Sequence, residues 1–128
     1  MPSAPVLDSS AVLAVFFHET GEEVVSPILE GALLSTVNLA EIHARMIDRG
    51  APAQQAWDWI MGLECEVCLF TGDQARLAAE LKPITRPFGL SLGDRACLAL
   101  AVDRKATAYT TDRVWKQLSL GIEIEVIR

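Results

Sequence analysis

The chain has 128 residues, 51% of them hydrophobic, and a formal net charge of −6 at pH 7, which is length for one compact domain and too little for a second folding unit. No run approaches the roughly 18 uninterrupted apolar residues of a membrane span, and the opening Met1-Pro2-Ser3-Ala4-Pro5 lacks the basic head and apolar stretch of a signal peptide, so a cytoplasmic protein with a single domain over 1–128 is expected. The acidic balance excludes a surface that grips nucleic acid by overall attraction; a polyanion has to be held locally, by metal ions or a few arginines, and a basic protein partner is accommodated.

In chain order, Pro5-Val6-Leu7 is a short apolar run suited to a buried strand, and Asp8-Ser9-Ser10 then opens the breaker-free apolar segment 11–17, which reads as helix. After Gly21 a helix is expected near 22–30, followed by a second buried strand over 32–36. Asn38 reads as the cap of a helix that Gly50 stops. Pro52 suits an early position of the next helix, which carries Trp57 and Ile60 and ends near Gly62. A strand over 64–70 precedes a helix that starts at Thr71 and runs through Leu81. Pro83, Pro87 and Gly89 interrupt 82–89, which reads as a mobile connector.

Ser91 opens the most strongly helical segment, 92–105, apolar most of the way round and therefore expected as a buried central helix. A strand over 106–110, a short helix over 112–118 and an alternating final strand over 122–127 complete the chain. Strands alternating with helices predict an α/β fold, a parallel sheet covered on both faces. There is no internal repeat, low-complexity tract or linker.

Cys65, Cys68 and Cys97 are odd in number, which argues against a disulfide framework. The Cys65-Glu66-Val67-Cys68 spacing resembles a metal or redox pair, but no second Cys or His pair follows, and on a strand residues three apart face opposite ways.

Ligands of open parallel sheets collect beyond the carboxyl ends of the strands. Asp8 and Asp112 each follow a strand directly, and Glu41 and Asp94 fall in the first turns of expected helices, so all four acids can face one crevice. Each also has an ordinary alternative. Asp8 and Asp112 can cap helices, and Asn38-x-x-Glu41 and Ser91-x-x-Asp94 both resemble capping boxes.

Four carboxylates on one edge repel unless something positive lies between them, and helix dipoles offset only about 0.3–1 kcal/mol each. The remainder favours a hard divalent cation, Mg2+ with Mn2+ as the alternative, because such ions prefer carboxylate and water oxygens. His43 lies about 200° round the helix from Glu41, and Asp103 about 180° from Asp94, so neither is expected in the site. Arg45 shares the face of Glu41 and either pairs with it or neutralises a substrate phosphate.

Val6-Leu7-Asp8-Ser9-Ser10-Ala11, Asn38-Leu39-Ala40-Glu41, Leu92-Gly93-Asp94-Arg95-Ala96 and Thr110-Thr111-Asp112-Arg113-Val114-Trp115 together resemble the PIN domain, and within it the VapC-like toxins of toxin–antitoxin pairs. The resemblance covers nearly the whole chain and implies a PIN-like three-layer α/β/α fold with a mainly parallel sheet of about five strands. It implies a Mg2+-dependent endoribonuclease, commonly dimeric and silenced by a small antitoxin, with Asp8, Glu41, Asp94 and Asp112 as its catalytic acids. In that reading Asp8, Asp94 and Asp112 hold the metal and Glu41 completes the site or orients the water that attacks the phosphodiester. Ser9 and Thr111 either bond a ligand or water or simply cap, and Arg95 and Arg113 either guide phosphate or are surface charges.

Three rival readings remain. A PIN nuclease acting in RNA processing outside a toxin–antitoxin pair shares every motif. A phosphatase with Asp8 as nucleophile is disfavoured, because such enzymes place a second Asp two residues on, where this chain has Ser10. A non-catalytic α/β interaction domain would use the acids only as caps.

Overall fold

The computed structural model describes residues 4–128; residues 1–3 of the opening segment, on which the expectation of no signal peptide partly rests, lie outside them. Five short strands form one sheet: β1 (Val6–Leu7), β2 (Leu33–Ser35), β3 (Glu66–Cys68), β4 (Ala108–Thr110) and β5 (Ile124–Val126). Their order is β3-β2-β1-β4-β5 and every neighbouring pair is parallel. The expectation of a mainly parallel sheet of about five strands is met in its strongest form.

Period-two alternation sends successive strand residues to opposite layers. Leu7 and Leu34 join one core with Ala11, Val12, Ile42 and Ile60, beneath α1 (Ser9–Phe16), α3 (Thr36–Asp48) and α4 (Ala53–Met61). Val6 and Leu33 face the other core, with Leu81, Leu98 and Leu100, on the side of α5 (Gly72–Glu80) and α7 (Leu92–Arg104). The result is a three-layer α/β/α sandwich. Helix α7 is the expected central one: all six residues from Ala96 to Ala101 are buried, and its three alanines, Ala96, Ala99 and Ala101, let its neighbours pack closely.

Four local expectations are corrected. The helix expected near 22–30 is broken into α2 (Glu22–Val25) and a 3-10 turn, Ser26–Ile28, where Pro27 withholds an N–H from the ladder. Helix α3 starts at Thr36 and is capped by Ser35, whose side chain accepts from the Val37 N–H at 3.2 Å, so Asn38 lies inside the helix and is not its cap. The proposed connector 82–89 is helical: α6 (Lys82–Thr85) and a 3-10 turn, Arg86–Phe88, each take their proline early, where no backbone donor is needed. Thr85 is buried there and donates to the Leu81 carbonyl at 2.8 Å. Finally, the short helix over 112–118 is a 3-10 turn, Arg113–Gln117.

The cysteines are free and follow the strand argument: Cys65 packs with the first core and Cys68 with the second. Burial pushes the Cys65 thiol up to about 11. No helix among the described residues is long and apolar enough to cross a membrane.

Candidate active site

The carboxyl end of β1 delivers Asp8 in an extended conformation just before α1. It occupies the cap position, yet its side chain makes no capping hydrogen bond. Instead its Oδ2 accepts from the Ser10 hydroxyl at 2.6 Å and from the Thr110 hydroxyl at 2.9 Å, the latter at the end of β4. Ser10 Oγ in turn accepts from the Thr111 N–H at 3.0 Å, and Thr110 Oγ1 from the Asp112 N–H at 3.1 Å. These hydroxyls tie the central strand β1 to its neighbour β4 at the point where both acids emerge. Asp8 is only 4% exposed. Burial, together with the negative charges of Asp94 and Glu41, pushes its carboxyl up to about 7 against the opposing hydrogen bonds of Ser10 and Thr110.

Glu41 sits in the second turn of α3 rather than the first, because the helix begins three residues earlier than the sequence suggested. Its Oε1 accepts from the Ser9 hydroxyl at 2.6 Å and from Asn38 Nδ2 at 3.0 Å. Asn38 is fully buried, and the same amide also donates to the Gly93 carbonyl at 3.1 Å, linking α3 to α7. A Cβ at Gly93 would overlap the Glu41 carboxylate, so the glycine of Leu92-Gly93-Asp94 makes room for the acid of the facing helix.

Asp94 is where the capping-box expectation holds. Its Oδ2 accepts from the Ser91 N–H at 2.9 Å, and its own N–H donates to Ser91 Oγ at 3.2 Å. Burial raises its carboxyl above the usual range, Ser91 opposes that, and the charges of Glu41 and Asp112 add to it. Asp112 caps the 3-10 turn that follows it: Oδ1 accepts from the Val114 N–H at 3.1 Å.

In all four acids the side-chain hydrogen bonds between described residues fall on one carboxylate oxygen, leaving the other without a protein donor. Asp8, Glu41 and Asp94 border one cavity of about 510 Å3. Asp112 does not border it, although its charge reaches Asp94. The donor set is all oxygen, as a hard divalent cation requires. Among the described residues no three His, Cys, Asp or Glu side chains are gathered closely enough to hold an ion as they stand. Like charges at this spacing push apart, so the arrangement is that of acids fixed by one oxygen each.

The neighbours named from sequence separate clearly. His43 turns away, its Nε2 within 2.8 Å of the Ala53 carbonyl oxygen and its ring 5.5 Å from that of Trp57. Asp103 is exposed and accepts from Gln74 Nε2 at 3.1 Å. Arg45 lines the cavity and forms no ion pair with Glu41. Arg95 packs back onto α5, donating to the Ala78 carbonyl at 2.9 Å, and Arg113 donates to the Arg128 carbonyl at 3.2 Å; neither borders the cavity.

Ser9 bonds Glu41, and for Thr111 only the backbone N–H enters the network. The roles of Ser10, Thr110, Gly93, Glu19 and Arg128 at the site do not show in the sequence pattern, where Asn38 reads only as a cap. The Asp8-Ser9-Ser10 and Thr110-Thr111-Asp112 hydroxyl pairs were a usable signal, since hydroxyls beside an acid supply its donors.

An α/β/α protein whose all-parallel sheet presents three acids to a single cavity beyond its strand ends is the class that fold and site define. Residues 6–120 match the family model of the PIN domain, and the chain belongs to that family. Solved structures share the fold. A toxin–antitoxin complex from Klebsiella pneumoniae superposes with a TM-score of 0.73 at 16% identity, over 94% of this chain and 95% of that one. A DNA-bound VapBC from Salmonella typhimurium gives 0.72 at 15% identity, over 98% of both chains. VapBC-5 from Mycobacterium tuberculosis gives 0.59 at 24% identity, over 99% of both. No curated protein matches the chain.

Proposed function

We propose that the chain, read as one nuclease domain over 1–128, is a divalent-metal-dependent endoribonuclease and the toxin of a toxin–antitoxin pair. The observation that carries the catalytic part is the convergence of Asp8, Glu41 and Asp94 on one cavity, each with one oxygen fixed by the protein and one left over. Asp8, Asp94 and Asp112 would hold Mg2+, or Mn2+ in its place, partly through water, which suits acids that are not already drawn together. When bound, the ion supplies the charge that acidifies a water and offsets the charge gathering on a phosphodiester.

The protein's own share is orientation. Ser10 and Thr110 fix Asp8 by its Oδ2, and Ser9 and Asn38 fix Glu41 by its Oε1, so one oxygen of each is left for the ion or its waters. Glu41, which takes no part in a helix cap, would complete the site or orient the attacking water. The net charge of −6 suits a small antitoxin with a basic or apolar segment, and the toxin–antitoxin context of the superposed structures supports that partner. A homodimer acting in the cytoplasm completes this reading.

Cleavage of RNA by the purified protein with Mg2+, with Mn2+ and with EDTA tests it. Asp8→Asn and Asp94→Asn are expected to fold and to lose cleavage by about a thousandfold, roughly 4 kcal/mol of transition-state stabilisation. His43→Ala, on the far face of α3, is expected to stay within about twofold, a fraction of a kcal/mol. Normal turnover by either acid variant at matched Mg2+ removes the site. Toxicity on expression that the adjacent small gene fails to relieve removes the toxin–antitoxin part alone.

A second reading has one observation in its favour: Asp94 and Asp112 do act as caps. A domain whose acids serve only as caps would neither cleave RNA nor respond to Mg2+.

A further inference from the structure

The acidic cavity contains its own cations, and they come from two distant parts of the chain. Arg45 reaches it from α3, and Arg128 reaches it from the segment beyond β5. Arg45 is exposed and pairs with no carboxylate among the described residues, although Glu41 stands one helical turn before it. Arg128 is held in place at its side. Its guanidinium pairs with Glu19 Oε1 at 3.4 Å and donates to the Thr20 carbonyl at 3.2 Å.

The preceding Ile127 packs on Gly21, whose φ of +104° only glycine adopts readily, and a Cβ there would meet the Ile127 side chain at 2.7 Å. The sequence thus fixes the tail against the α1–α2 turn and delivers a guanidinium to the cavity rim. The other two arginines beside acids, Arg95 and Arg113, are turned to backbone carbonyls elsewhere.

A chain with a net charge of −6 has no general attraction for a polyanion, so affinity has to come from cations at the site itself. Leu13 and Phe17 line the same cavity, and the Arg49 guanidinium lies 4.2 Å over the Phe17 ring. The geometry points to Arg45 and Arg128 as a pair of phosphate-binding residues that seat single-stranded RNA across the acids. This rests on the nuclease reading for the identity of the ligand. Arg128 is here a binding residue whose guanidinium Glu19 partly neutralises in the free protein, and the carboxylate competes with phosphate for it.

The test is fluorescence anisotropy of a labelled 12-nucleotide single-stranded RNA in Mg2+ at several salt concentrations. The proteins are Asp8→Asn, chosen to suppress cleavage, and the same protein carrying Arg45→Ala, Arg128→Ala or Glu19→Gln in addition. Each arginine change is expected to weaken binding about fivefold and to reduce the magnitude of the log–log salt slope by about 0.7, the value for one phosphate contact on a single strand. Glu19→Gln breaks the same ion pair but keeps the cation, and is expected to bind equally well or more tightly.

If Glu19→Gln weakens binding as much as Arg128→Ala, the pair is structural and the inference is overturned. Unchanged affinity and salt slope in both arginine variants, or no RNA binding by the parent protein, overturns it equally. Residual cleavage seen on gels of the same samples counts against the acid site, and leaves the comparison of affinities intact.

Discussion

Helices α3 and α7 both begin at a serine cap, Ser35 and Ser91, and both carry an acid of the cavity near that end, but the acids are held in different ways. Asp94 belongs to its helix's own capping box, so one interaction both ends the backbone ladder and fixes the carboxylate. Glu41 lies a turn deeper and has no part in the cap. It is held by Ser9 from α1 and by Asn38 from its own helix, over a glycine of α7. The difference teaches that one acid is set by local sequence and the other by three packed helices. Asp94 should therefore tolerate changes in its neighbours that would displace Glu41.

The largest expected effect comes from filling the space that Glu41 occupies. Gly93→Ala places a methyl where the carboxylate lies, at a position enclosed by α3 and α7, and should lower stability by about 1–3 kcal/mol as an overpacking change. Cleavage should fall by about a hundredfold, the equivalent of roughly 3 kcal/mol. Chemical denaturation of Gly93→Ala and of the double variant Gly93→Ala with Glu41→Ala checks the cause. Shortening Glu41 should restore most of the stability, and a double variant no more stable than the single one breaks the comparison.

Next in size is the pH response of the metal-free protein. Asp8 ionises at about 7 in the folded chain against an ordinary value of 3.8, so the native state binds this proton more tightly than the unfolded state does. Its contribution to stability is therefore complete below pH 3.8 and is lost as pH rises to about 7. Asp94 is shifted in the same direction. Denaturation in EDTA should show a loss on the order of 2–3 kcal/mol between pH 5 and pH 8, and Asp8→Asn should flatten the curve. Stability that rises over this window would mean that Asp8 is not the buried, crowded acid described.

The smallest effects separate the two helix starts directly. Ser91→Ala removes a cap and should cost about 1 kcal/mol. It should leave Glu41 in place and cleavage within about tenfold, or 1.4 kcal/mol. Asn38→Ala removes a buried donor shared by Glu41, Ser9 and Gly93 and should cost about 1–2 kcal/mol. Its cleavage should fall further than that of Ser91→Ala. Thermal melts and single-turnover cleavage on the two variants give the ranking, and equal losses of activity would erase the distinction between a locally held and a packed acid.

The same contrast explains what could be read from the sequence. The order of strands and helices, the buried α7 and the opposite facing of Cys65 and Cys68 follow from periodicity within a few residues, and all are observed. Ser91-x-x-Asp94 was legible because a capping box is a local object. Asn38-x-x-Glu41 imitates the same pattern, but the true cap, Ser35, closes the preceding strand Leu33–Ser35 and is hidden by its apolar run.

The prolines of 82–89 signalled a break, but in the first positions of short helical turns they are no obstacle. The Thr110–Asp8 bond spans 102 residues and the Arg128–Glu19 pair 109. Gly93 makes way for a side chain 52 positions earlier in the chain. Such contacts depend on how the layers pack, and no periodicity encodes them.

The central claim is that Asp8, Glu41, Asp94 and Asp112 form one metal centre and are not four separate helix starts. Thermal melts of wild type and Asp94→Asn, each with EDTA and with Mg2+, test it most directly. One ion site at about ten times its dissociation constant should stabilise wild type by roughly 1.4 kcal/mol, and the variant much less. In EDTA the variant should melt at the wild-type temperature or higher, because removing one of several crowded charges offsets the weakened cap. If Asp94→Asn instead melts lower in EDTA and both proteins respond alike to Mg2+, the acids are caps and the shared metal centre does not exist.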